Sequence, residues 1–413
     1  MDTRPTAASP MRIALLFRSY GPYHLARLDD LRLRASVLAL EFSDFDGEYD
    51  WGVTEEKRTA GVISLSKRQE ERMRSLQALD GWLKNFSPDV VAIPGYAEPF
   101  SLLAVCLCQG LGIPTVLMSD SHALNGQRNP IRDSLKRHFV SLFDAALVAG
   151  TPQTEYLARL GFPRCRISTG YDVVDNRHFA RNSAQRRPIL VPQASGSLHR
   201  PHFLCCSRLV EGKNLMFLIG AFRRYRDKAA EKGWDLTIAG DGPLYGIIAR
   251  RVAELSLTEH VHLIGRKAYD ELPALYASAD ALVFPSLSET WGLVVNEAMA
   301  AGLPVLVSKG VGCHPDLVQE GINGRVFDPA NTAQLATLLY EIANTPNRQA
   351  MGDASLRIIR DWDLNRFSSG LIEAAVAAYS SRSHKKPRAA VAMAAALSYR
   401  ASTRAADHTI RPK

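Results

Sequence analysis

Strand-like runs alternate with helix-like runs along nearly the whole chain, and no other feature limits the possible folds as much. Apolar stretches at residues 11–17, 37–42, 90–94, 114–118 and 145–149 read as strands of a first unit. A second set follows at 203–206, 236–239, 261–264, 281–284 and 305–308. The segments between them carry apolar residues at helical spacing. Strands joined by helices run parallel, because a parallel neighbour needs a long crossover connection. The expected architecture is α/β, with two Rossmann-like, doubly wound parallel sheets, helices on both faces and ligands at the C-terminal strand ends. The 413 residues suit two or three domains, and a 46% hydrophobic content can fill large cores. Composition shifts between Asn176 and Pro201, where Arg186-Arg187-Pro188 and Ala194-Ser195-Gly196-Ser197 mark a linker. The division expected is 1–175 and 176–361, with the active site in the cleft that two such units face.

The stretch 285–305, PSLSETWGLVVNEAMAAGLPV, carries the chemistry. Glu289 and Glu297 stand eight positions apart. In one continuous helix their carboxylates would lie about 80° apart around the axis and about 12 Å apart along it, which suits no shared small ligand. A helix starting near Gly292 changes this: Glu289 falls in the preceding loop and Glu297 on the second turn. Both then face a ligand at the helix N-terminus, where free N–H groups and the macrodipole favour phosphate. Gly302-Leu303-Pro304 stops the helix.

With its flanking residues, Pro285-Ser286 before Glu289, Gly292, Glu297-Ala298-Met299-Ala300 and Gly302-Leu303-Pro304-Val305, this segment resembles the E-x7-E signature of retaining, nucleotide-sugar-dependent glycosyltransferases of the GT-B fold, family 4 type. The resemblance implies that Glu297 holds the donor ribose, that Glu289 lies near the transferred sugar, and that the backbone of Gly292, Leu293 and Val294 meets the diphosphate. Arg208 and Lys213 flank a strand-to-helix turn, with Glu211-Gly212-Lys213-Asn214 opening the next helix. At such a turn cations and helix N–H groups can share one diphosphate, and the family uses an Arg and a Lys there to stabilise the leaving group. Gly240-Asp241-Gly242-Pro243 fits a loop kept small for a nucleotide, and Arg266 follows a strand whose family counterpart lies against the nucleobase. The family's C-terminal helix crosses back onto the first domain; residues 362–380, with Phe367, Leu371, Ala374, Ala375 and Ala378 on one face, take that place.

Signals on the acceptor side are sparser. Arg18-Ser19-Tyr20-Gly21-Pro22-Tyr23-His24 follows the first strand, where relatives often carry two or three glycines and this chain has only Gly21. Gly21 and His24 are the acceptor-side candidates there. Ser119-Asp120-Ser121-His122 occupies a place where many relatives carry a histidine touching the donor sugar, and His122 or Asp120 fills it. Val311-Gly312-Cys313-His314 falls near the expected donor, and Asp316 stands where relatives commonly place a glutamate.

The net charge of +8 resides mostly in residues 381–413, where eight Lys or Arg face Asp407 alone and contribute +7. With only Tyr399 to stack on a base, this tail does not read as a nucleic-acid site. It reads as a disordered, solvated segment or, through the apolar run 389–397, as a peripheral contact with anionic membrane. The six cysteines lack metal or disulfide spacing, and with no signal peptide or spanning run the chain reads as cytoplasmic, at most peripheral at the inner membrane face. Asp44-Phe45-Asp46 is formally a D-x-D but lies far from the donor elements, so no metal ligand is expected.

The expectation is a metal-independent enzyme moving a hexose-type sugar from a nucleoside diphosphate, UDP or GDP, to a glycan or lipid-linked hydroxyl with retention, the nucleotide sugar being a co-substrate and no cofactor being used. A glycoside hydrolase with Glu289 and Glu297 as its carboxylate pair, and an inactive nucleotide-sugar-binding subunit, are the alternatives.

Overall fold

A computed structural model describes residues 10–42, 55–65, 72–96, 98–123, 130–180 and 200–381. Asp44 and Asp46, most of the linker and the basic tail beyond Ser381 lie outside the described residues. Chain contacts divide the protein into two units. Of the described residues, one holds those within 10–121, 130–172 and 364–381, the other 122–123 and those within 173–363. The sequence-based boundary after 175 thus falls three residues late, and His122 groups with the second unit although it follows a strand of the first.

The first unit is built on strands β1 (Arg12–Phe17), β2 (Ser36–Glu41), β3 (Ile63–Ser64), β4 (Val90–Pro94), β5 (Thr115–Ser119), β6 (Ala145–Val148) and β7 (Ile167–Thr169). Its sheet runs β3-β2-β1-β4-β5-β6-β7, and every pairing is parallel. The intervening helices are α1 (Pro22–Arg32), α2 (Glu55–Thr59), α3 (Arg72–Phe86), α4 (Pro99–Leu111), α5 (Pro130–Val140) and α6 (Thr151–Arg159). Strands such as Ile13-Ala14-Leu15-Leu16-Phe17 are buried on consecutive residues, as expected where helices cover both sheet faces.

The second unit opens with α7 (Asn176–Ala180) and β8 (His202–Cys206), then α8 (Leu215–Ala229), β9 (Asp235–Ala239), α9 (Tyr245–Glu254) and β10 (Val261–Leu263). It continues through α10 (Leu272–Ser278), β11 (Ala281–Phe284), α11 (Leu293–Ala300), β12 (Val305–Ser308), α12 (His314–Leu317) and β13 (Gly324–Phe327). Helices α13 (Thr332–Asn344) and α14 (Arg348–Ile359) complete it. The strand order is β10-β9-β8-β11-β12-β13, again all parallel. In both sheets the order reverses beside the first strand, between β1 and β4 and between β8 and β11, and such switch points open a crevice at the C-terminal strand ends.

All ten strands expected from the sequence are present within a residue or two of their expected bounds. Strands β3, β7 and β13 have no counterpart among the strands expected from the sequence. They are edge or near-edge strands of two to four residues, partly exposed, and so lack the continuous apolar run that marks a covered strand.

The last helix, α15 (Leu364–Ser381), begins two residues later than expected and belongs to the first unit. Phe367, Leu371, Ala374, Ala375 and Ala378 are fully buried along it. Glycine at position 370 permits its close approach, since a Cβ there would lie 2.4 Å from the Thr169 carbonyl oxygen and 3.0 Å from Leu147 Cδ1. Backbone cannot yield as a flexible side chain would, so Gly370→Ala should destabilise by about 1–3 kcal/mol. That corresponds to a melting temperature lower by roughly 2–12 °C. Gly110→Ala, in an exposed turn of α4 with nothing within 4 Å, is the control and should melt no lower than wild type. A wild-type melting temperature for Gly370→Ala would show that α15 does not rest on β7 in this way.

Candidate functional site: a charged turn against a helix N-terminus

Three loops at the C-terminal strand ends of the second unit are joined by main-chain hydrogen bonds. After β8, residues 207–214 form a turn in which Glu211–Lys213 is a single 3-10 turn and Asn214 adopts a left-handed conformation at φ 56°. The helix expected to open at Glu211 therefore starts only at Leu215, leaving Arg208 and Lys213 in the turn ahead of it. The loop after β9 lies directly on this turn. Ser207 N–H donates to Ala239 O (3.0 Å), Leu209 N–H to Asp241 O (2.9 Å) and Leu244 N–H to Leu209 O (3.1 Å).

Gly240 and Gly242 make that docking possible. A Cβ would stand 1.8 Å from Ser207 O at the first and 2.6 Å from Leu209 O at the second. The sequence predicts a loop kept small for a nucleotide here; the structure adds a further reason for glycine, the passage of one backbone against another. Gly240 N–H also donates to Gly265 O (2.8 Å), which brings the end of β10 and the exposed Arg266 beside the same loop.

The β11–α11 loop docks on the other side of the β8 turn. Leu287 N–H donates to Gly212 O (2.9 Å), and the same loop is held to the one after β12 by Glu289 N–H to Gly310 O (3.0 Å) and Cys313 N–H to Trp291 O (3.0 Å). At Gly292 the chain turns into α11 with φ 104°, and a Cβ would lie 2.8 Å from Val311 Cγ1. Helix α11 follows at Leu293, so Glu289 is in the loop and Glu297 on the second turn, as the spacing implied. The first-turn N–H groups of a helix have no carbonyl four residues back, and here Leu293 and Val294, both half-buried, occupy that turn.

The loops bring Lys213, Glu289 and His122 together. The Lys213 ammonium pairs with the Glu289 carboxylate across 76 positions of sequence and lies 5.5 Å above the centre of the Phe284 ring. His122 Nε2 is 2.8 Å from the Glu289 carbonyl oxygen, which also accepts from Gly312 N–H at 3.0 Å. A carbonyl can only accept, so Nε2 carries the His122 proton. Both charged side chains of the pair keep some solvent access, at 16% and 21% exposure. Pairs near a surface contribute only about 0–1 kcal/mol, so this one matters more for where it holds two charges than for stability.

Glu297 is held separately. Its carboxylate is buried and takes a hydrogen bond from the Tyr276 hydroxyl at 2.6 Å. Burial, followed by the Glu297 charge, pushes the Cys206 thiol at the end of β8 up to about 12. Arg208 is half-buried in the turn. Tyr276 was passed over in the sequence because it sits in the apolar run Leu275-Tyr276-Ala277, which reads as core. Trp291 was passed over too: it is fully buried, donates Nε1–H to Asn296 Oδ1 (2.9 Å) and packs on Trp362 at 5.0 Å between ring centres.

The first-unit candidates lie at the C-terminal ends of its own strands. Gly21 N–H donates to His24 Nδ1 (3.1 Å), placing the His24 proton on Nε2. Burial, and then the charges of Arg27 and Lys57, hold the His24 pKa down at about 3, so its ring is neutral at neutral pH. The preceding loop is tied down by buried Glu41, whose carboxylate accepts from Tyr20 N–H (3.0 Å) and from Lys57 Nζ (3.1 Å). Asp120 is half-buried in the loop after β5. Among the described residues no group of three or more His, Cys, Asp or Glu is arranged to hold a metal ion, and no helix is long and apolar enough to cross a membrane.

Residues 192–355 match the family described as glycosyl transferases group 1. The chain is 27% identical over 282 residues, 66% of this chain and 71% of the relative, to the GDP-mannose-dependent alpha-(1-6)-phosphatidylinositol monomannoside mannosyltransferase of Mycolicibacterium smegmatis. Among solved structures it resembles the lipopolysaccharide outer core galactosyltransferase WaaB, with a TM-score of 0.65 at 17% identity over 88% of this chain and 99% of that one. Anabaena Alr3699/HepE in complex with UDP gives a TM-score of 0.66 at 17% identity over 88% and 98%. At such identities the structural likeness concerns the fold, which is GT-B. The matched segment spans the β8 turn, the β9 loop and the β11–α11 loop described above, so it is this part of the second unit that resembles the glycosyl transferases of group 1.

Proposed function

We propose that the protein is a retaining, metal-independent hexosyltransferase whose second unit binds a nucleoside diphosphate sugar at the start of α11. The observation that carries this reading is the meeting of Lys213 and Glu289 beside that helix terminus. A diphosphate there would accept hydrogen bonds from the first-turn N–H groups at Leu293 and Val294, and would draw Lys213 and Arg208 as counter-charges. Lys213 would then be shared between Glu289 and the phosphate. Glu297, four residues into the helix, would take the ribose hydroxyls, and Arg266 lies on the nucleobase side. Glu289, with its main chain fixed by His122, Gly310 and Gly312, would face the transferred sugar.

As the sugar bond breaks, negative charge accumulates on the departing phosphate. Cations and helix N–H groups already in position stabilise that charge without reorganising. In a same-face reaction the departing oxygen takes the acceptor proton, and the chain contributes positioning and charge. The acceptor is a hydroxyl of a glycan or a lipid-linked glycan, with Gly21, His24 and Asp120 as its first-unit candidates. GDP-mannose is the first donor to offer, because a relative matched over two thirds of this chain is named for it; UDP-glucose is the second. The group 1 match disfavours the hydrolase alternative.

The test is single-turnover transfer by Arg208→Ala, Lys213→Ala and the double variant, in buffer containing a chelator. If both cations serve one leaving group, each single loss should lower the rate about 10²–10³-fold, by analogy with loss of one oxyanion donor. The double variant should be far less impaired than the product of the two effects. Near wild-type rates in both folded single variants would remove the diphosphate from this turn. Loss of all turnover in chelator, restored by Mg²⁺ or Mn²⁺, would overturn metal independence.

A further inference from the structure

We infer that Tyr276 is a positioning residue for nucleotide recognition: it orients the Glu297 carboxylate, and so sets how strongly the protein prefers a ribose bearing its hydroxyls. The inference rests on the proposed donor site and extends it to a residue that does not itself touch the nucleotide. Glu297 is 2% exposed, and a carboxylate so far from water needs donors in good geometry. Tyr276 supplies one at 2.6 Å, within the short range of charge-assisted O–H···O⁻ bonds. A carboxylate is planar and rigid, so pinning Oε2 also fixes the direction of Oε1.

The hydroxyl is itself held in place. Tyr276 is fully buried in α10, and its ring meets the edge of Phe179 in α7 at 5.9 Å and 77°. Phe179 also packs edge-on against Tyr269 at 5.8 Å, and Tyr269 stacks on His178 at 4.2 Å. An aromatic layer from α7 and the 3-10 turn before α10 thus braces the hydroxyl, and Glu297 receives its orientation from the neighbouring helix. Cys206 lies beside both groups, and its thiol remains protonated at neutral pH. It therefore adds no second negative charge next to the carboxylate.

The experiment is calorimetric titration of four proteins, wild type, Tyr276→Phe, Glu297→Ala and the double variant, with GDP and 2′,3′-dideoxy-GDP, and with the two uridine counterparts in parallel. The quantity read is the ratio of the two dissociation constants for one base. Glu297→Ala should lose that preference by about 10- to 150-fold, the range for one hydrogen bond to a charged group. Tyr276→Phe should lower it by about 3- to 10-fold while leaving the affinity for the dideoxy nucleotide unchanged, a pattern that mere loosening of the fold would not produce. The double variant should match Glu297→Ala.

A wild-type preference in Tyr276→Phe, equal weakening of both nucleotides, or a further loss in the double variant each overturns the inference. If Glu297→Ala keeps the preference, the donor site itself has been misread; if only Tyr276→Phe keeps it, the positioning role alone fails. Phe179→Leu keeps the hydroxyl but removes the ring edge that braces it, and should lower the preference in the same direction. Should Tyr276→Phe not fold, a wild-type preference in Phe179→Leu overturns the inference.

Discussion

The proposed donor site depends on backbone meeting backbone. The β8 turn is clasped on one side by the β9 loop and on the other by the β11–α11 loop, which in turn lies on the loop after β12, and the first and last of these contacts need positions with no side chain. Gly240 and Gly242 admit the carbonyls of Ser207 and Leu209, and Gly310 admits that of Leu287, which would lie 2.2 Å from a Cβ. A methyl group at any of the three would force main chain apart, where no rotamer change can relieve the clash. Because of these contacts two residues 76 positions apart, Lys213 and Glu289, face one another, and both stand at the start of α11.

Charge is distributed over this scaffold so that the two glutamates have separate partners. Glu289 has Lys213 and Glu297 has the Tyr276 hydroxyl. Two carboxylates near one anionic ligand would repel it; held by separate partners on separate elements, they can serve different parts of a donor. Comparable care is visible in the first unit, where buried Glu41 and Lys57 hold the turn after β1 and His24 stays neutral behind Gly21. That turn carries a single glycine, Gly21, and the Tyr20 N–H bond to Glu41 holds its course.

Much of the fold was legible because covered parallel strands write themselves as unbroken apolar runs. Ile13 to Phe17 and Ala281 to Phe284 are of this kind. Edge strands such as Ile63–Ser64 and Ile167–Thr169 have one side toward solvent and too few residues to show a period. At the site, local spacing located Glu289 before α11 and Glu297 within it, since helix geometry links nearby positions. It could not reveal the Lys213 pairing or the His122 bond to the Glu289 carbonyl, which come from tertiary contacts between distant segments. The backbone contact at Gly240 and Gly242 was not legible, because a loop open to a ligand and a loop pressed on a neighbour look alike in one dimension. Tyr276 was hidden by its apolar neighbours, its one polar atom being the part that matters.

Whether the start of α11 and the β8 turn hold a nucleoside diphosphate together is tested most directly by a crystal structure of the protein with bound GDP or UDP. Phosphate oxygens are expected at hydrogen-bond distance, about 2.7–3.2 Å, from the Lys213 ammonium and the main-chain N–H groups of Leu293 and Val294, with the ribose hydroxyls on Glu297. A nucleotide bound elsewhere, or one whose phosphates leave Lys213 paired with Glu289 alone, would contradict that placement.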